Sequence, residues 1–174
     1  MSGRTRGQFV LLAAAALVVA LVPMTLAYLQ LGYHEDVGAA DVGVDPVRDG
    51  ERILDRGVQD AVTGIPEAHA WSNRTGAVTA VRGRLAADIS TLGRSRVEEG
   101  IVYDITYNGS RAAAWEADNC PGGPDRQFGP CRVDRAVVVQ ERAGRTHVLA
   151  VAFDLRVTTA DGRWRTTLVV RVGR

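Results

Sequence analysis

The chain of 174 residues has no lysine; all 21 of its basic residues are arginine. A GC-rich coding sequence produces that bias, so it carries no functional weight. Excess charge of either sign is also missing, because 20 acids nearly balance the arginines. That argues against a general nucleic-acid binder, which needs a strongly basic face. Cysteine is scarce: two residues exclude a disulfide-dense miniprotein and a four-cysteine zinc module. Aromatics make up 6% of the chain, yet 46% of it is apolar and 24% charged, so it is not a disordered tail. Neither a Gly-x-Ser-x-Gly elbow nor a phosphate-binding loop occurs. His34, His69 and His147 have no metal-ligand spacing. The expectation is one domain without catalytic residues, metal or cofactor: a non-enzyme.

The longest absence is of charge. From residue 9 to residue 33 no side chain carries a charge at neutral pH, and the stretch is mostly Ala, Leu and Val. A helix rising about 1.5 Å per residue crosses about 30 Å of hydrocarbon in roughly 20 residues. Residues 9–22 are apolar on every face, which fits a bilayer better than a one-sided core. Arg4 and Arg6 precede the span. Eight acids and three arginines follow it between residues 34 and 60. Positive charge stays inside, so the amino terminus is expected in the cytoplasm and the rest outside the cell. This gives a single-pass protein of the cell membrane, with the lipid bilayer as its first partner.

Three processing fates fit these residues. The segment is an uncleaved signal anchor, a signal peptide cut after Ala27, or a retained helix behind a short basic leader. Arg6-Gly7-Gln8, set directly against the apolar run, resembles the class III leader of archaeal type IV pilins and archaellins. The resemblance implies cleavage between Gly7 and Gln8 by a prepilin peptidase. The helix then stays in the mature protein, and other pilin-like subunits become partners. The stretches 27–34, 119–121 and 127–131 make the whole chain similar to an uncharacterised haloarchaeal pilin-like family. Pro23 kinks the span. That points to a minor or accessory subunit of a type IV pilus-like assembly more than to a major one. The alternative from another class is a signal-anchored extracytoplasmic module that binds a ligand and does not polymerise.

The expected organisation is a cytoplasmic leader (1–7), a transmembrane helix (8–33), a spacer (34–45) and an extracytoplasmic α+β domain (46–174). Asp45-Pro46 opens an amphipathic helix over 46–62. A second helix is expected over about 72–93, where Val78, Val81, Leu85, Ile89 and Leu92 share one face. At residue 101 the period changes to two, which predicts a strand to residue 107. Ser110 is expected to cap a short alanine-rich helix over 111–117, with a hairpin at Asn108-Gly109 as the runner-up. Strands over about 135–140, 147–158 and 163–172 complete a meander. The sum is two helices on one face of an antiparallel sheet of about four strands.

Cys120 and Cys131 enclose ten residues rich in Gly and Pro. Such a loop has little order of its own. Outside the cell a disulfide is expected there, contributing about 2–3 kcal/mol. Asn73-Arg74-Thr75 and Asn108-Gly109-Ser110 match the N-glycosylation pattern, so Asn73 and Asn108 are candidate acceptors. Their plain structural roles would be helix cap and turn residue. Trp115 is expected to fill the core beneath the cysteine loop. Residues 101–174 carry eleven arginines against eight acids, several on alternate strand positions; a solvated sheet face is the default reading.

Overall fold

A computed structural model describes residues 45–122 and 128–173. The expected leader with Gly7 and Gln8, the apolar helix and residues 34–44 of the spacer lie outside the described residues, as do residues 123–127 of the cysteine loop. The chain divides into two units at Val44/Asp45, and the second unit is the one described below. No helix among the described residues is long and apolar enough to cross a membrane.

The first helix, α1, runs Pro46–Val62, as the periodicity predicts. The Asp45 carboxylate accepts from the N–H groups of Val47 and Arg48, and proline sits where an N–H would have no partner. Gly50, Leu54, Gly57, Val58 and Ala61 form its buried face. Gly64 turns the chain at φ 74° into one short turn, α2 (Ile65–Ala68), which buries Ile65 completely. A 3-10 turn at Trp71–Asn73 leads into α3, Arg74–Ser95. Ala77, Val78, Val81, Leu85 and Leu92 are its buried row.

Five strands follow instead of about four: β1 (Val102–Tyr107), β2 (Phe128–Asp134), β3 (Val137–Arg142), β4 (Arg145–Thr159) and β5 (Gly162–Arg171). Every pairing is antiparallel. The unexpected strand is β2. Pro130 and Gly129 hide it in the sequence, but β2 pairs only with β3, and an edge strand tolerates a proline.

The long β4 organises the sheet. Along one edge it takes β3 over its first half and β1 over its second; along the other it takes β5. The two shorter partners meet at Ala152, whose N–H donates to Ala136 O and whose carbonyl accepts from Asn108 N. A bulge opposite Val138 and Val139 puts Leu149 and Ala150 on the same face of β4. The run 148–153 is buried on both faces, so it reads as continuous hydrophobicity where alternation would mark a half-exposed strand.

The two expected covering helices, α1 and α3, share one face, and the short helix takes the other. Under α1 and α3 lie Val137, Val139, Val151, Phe153, Leu155 and Val157. The alanine-rich helix α4, Gly109–Asn119, packs on the opposite face against Ala136, Val138, Ala150 and Ala152. Its cap also differs from the expectation. Asn108, not Ser110, accepts from the Arg111 N–H at 2.8 Å, so the helix opens at Gly109 and the Asn108-Gly109 hairpin does not form.

Candidate functional site

The helix α4 places the cysteine loop. Its start is fixed by Asn108, whose Nδ2 donates to both carboxylate oxygens of Asp154 at 2.9 and 3.0 Å. Asp154 also accepts from the Thr167 hydroxyl at 2.6 Å. The Thr167 and Asn108 hydrogen bonds hold its carboxyl below the usual range. Midway, fully buried Ala112 lets the helix lie close to the small residues of the sheet. It ends at Cys120, which faces Cys131 on β2 at disulfide distance, with Cα atoms 6.0 Å apart. The expected pair is therefore brought together.

One residue the sequence does not advertise completes the loop base. Gln140, on β3 opposite Cys131, is fully buried. Its Nε2 donates to Pro121 O at 2.7 Å and Gly129 O at 3.1 Å, so a single amide holds both ends of the loop. Its Oε1 accepts from Arg142 Nε at 3.0 Å, and the Arg142 guanidinium lies 4.3 Å from the Phe128 ring centroid. Trp115, expected to fill the core beneath the loop, is half-buried and packs at the border of the cluster formed by Ala112, Cys131 and the small residues of the sheet. The Glu116 carboxylate and the two sulfurs lie within 4.8 Å of one another. With the sulfurs joined, only one donor of that trio remains for a metal, too few for a structural site.

A second feature is an open groove of about 1070 Å³ between α1, the end of α3 and β5. Arg96 is its hub, with NH1 3.4 Å from Asp49 and Nε 3.1 Å from Glu99. Arg52 pairs with Asp49 as well. The Tyr103 side chain lines the groove, with its hydroxyl buried beside the Arg96 guanidinium but outside ideal hydrogen-bond geometry. Burial raises the phenol's pKa against the pull of the Arg96 charge. No signal in the sequence identifies Tyr103 as different from the other inward residues of β1.

The two sequons sit on different elements. Asn73 is exposed at the start of α3, and no cap hydrogen bond comes from its side chain. Asn108 is half-buried, and the nitrogen that would carry a glycan is the one donating to Asp154. The arginines of β5 on the face away from α1 are Arg163, Arg165 and Arg171, all exposed; Arg156 of β4 pairs with Asp104 at 3.1 Å.

Over residues 3–171 the chain matches a family of unknown function (DUF7261), and it belongs to that family. No curated protein and no solved structure matches it.

Proposed function

We propose, with membership of that family as the premise, that the chain is a membrane-anchored, pilin-like surface protein of archaeal type. In this reading it is a minor or accessory subunit of a type IV pilus-like assembly and performs no catalysis. The observation that carries the reading is the reach of the family match. It takes in the charge-free stretch 9–33 and the folded unit together, which supports reading the two as parts of one architecture. Further support comes from Arg6-Gly7-Gln8 against the apolar run, and from a cysteine pair at disulfide distance, which suits an oxidising exterior.

The groove beside Tyr103 favours a second reading, a single-pass binding module that never polymerises. The two separate on one measurement: the intact mass and amino-terminal residue of the protein from native membranes. A start at Gln8 supports prepilin-type processing. A start at Met1 or Ser2 supports a plain signal anchor and the binding module. A start at Tyr28, with protein in the medium, overturns both. Gly7→Leu blocks maturation if the first reading holds, and an unchanged mature mass in that variant counts against it.

A further inference from the structure

Four large apolar side chains are exposed among the described residues: Val97, Val102, Phe128 and Trp164. Phe128 has Arg142 over its ring. The other three gather at one end of the folded unit. Val102 pairs with Thr158 and, across β4, lies in line with Arg163. Trp164 occupies the next cross-strand row, opposite Val157 and in line with Tyr103. Val97 is in the turn between α3 and β1, where Ile101 N donates to Arg96 O.

That end is also where the polypeptide enters the fold. Asp49, in the first turn of α1, pairs with Arg96, and Val47 packs on the cluster of Tyr103, Leu155 and Val157. A Cβ on Gly50 would stand 3.0 Å from the Leu155 side chain and 3.2 Å from the Tyr103 ring. The first turn of α1 is thus fixed at the end that bears Trp164.

We propose that this end, with Trp164 on the α1 side of the sheet, Val102, Arg163 and Arg165 on the other side and Val97 in the turn before β1, rests in the phospholipid headgroup layer. The proposal rests on the membrane-anchored reading. Between the end of the apolar stretch at residue 33 and Asp45 there are eleven residues. Fully extended, a chain of that length reaches at most about 40 Å. On the membrane-anchored reading the entry end thus lies within that reach of the bilayer surface. There a tryptophan ring gains from its apolar body and its N–H together, and arginines meet phosphate oxygens. Glu98, Glu99 and Asp161 share this end and balance the arginines. Contact is therefore driven by the exposed apolar side chains of this end, Trp164 foremost, and changes little with salt.

The test uses the full chain, wild type and Trp164→Phe, in phosphatidylcholine vesicles whose acyl chains are brominated near the headgroup. Flotation first reports whether the protein is anchored. The difference between the two emission spectra isolates Trp164 from Trp71 and Trp115, and matching circular dichroism shows that the variant folds. The expected result is flotation, loss of most Trp164 emission in brominated vesicles, and weak quenching by aqueous iodide. If the protein floats but Trp164 is unquenched by bromine and open to iodide, the proposal falls and the anchor stands. If Trp164 is shielded from both quenchers, another protein copy covers it, and the proposal falls as well. Failure to float overturns the anchor and the proposal together.

Discussion

At the scale of single residues, Asp154 ties β4 to β5 and to the start of α4. Thr167 and Asn108 donate to it, and their hydrogen bonds depress its pKa, Thr167 contributing most. A carboxyl whose folded pKa lies below its unfolded value stabilises the fold fully above the unfolded value, about 3.9. That contribution is lost as pH falls through the folded value. Thr167→Val should therefore cost stability at neutral pH, with the gap to wild type closing below about pH 4 as both carboxyls protonate. Urea unfolding from neutral to acid pH measures it; a gap that is constant with pH would assign Thr167 to packing alone. Gln140 gives a sharper contrast. Gln140→Glu keeps the shape but removes the donor when ionised, leaving the carbonyls of Pro121 and Gly129 without it. The expected cost is about 1–3 kcal/mol or more, with faster hydrogen exchange at the loop base. Neither residue was legible in the sequence. A glutamine in an apolar strand looks like an outward position until the bulged edge strand β2 covers it.

Among the elements, legibility followed periodicity. The row Val47, Leu54, Val58 and Val62 was enough to place α1 with its bounds, because a cap, a proline and a 3.6-residue period all agree. The alternation of β1 was equally plain. What stayed hidden was set by tertiary context. The pairing of β2 comes from β3 and not from its own Gly-Pro-Cys run. The side of the sheet that α4 takes depends on Ala136, Val138, Ala150 and Ala152 being small on one face, which no local pattern reports. Gly50 and Gly57 weaken α1 by propensity, yet both are buried in its docking face. At Gly50 a side chain has no room beside Leu155 and Tyr103. Gly50→Val should destabilise by about 1–3 kcal/mol through overpacking. Thermal unfolding checks this; a neutral or stabilising result would mean that α1 docks less tightly than these distances require.

For the whole folded unit, the sheet separates two cores of unequal weight. Between the sheet and α1 and α3 lie the large side chains, Ile65, Leu85, Phe153 and Leu155 among them. Between the sheet and α4 lie mainly small ones, Ala112, Ala136, Ala150 and Ala152, with the cysteine pair at the rim. Small residues bury less apolar area, so the second face depends more on covalent closure. Closing a loop of about a dozen residues contributes about 2–3 kcal/mol, against about 5–15 kcal/mol for a whole domain. Cys120→Ser with Cys131→Ser should therefore lower the unfolding midpoint without abolishing the fold. The loss should also be uneven. Amides of α4 and β2 should lose hydrogen-exchange protection first, while those of α1, α3 and the centre of β4 keep theirs, because their contacts do not pass through the cysteines. If all four lose protection together and by equal amounts, the two faces form one cooperative unit, and the loop then serves the entire domain rather than the surface that α4 presents.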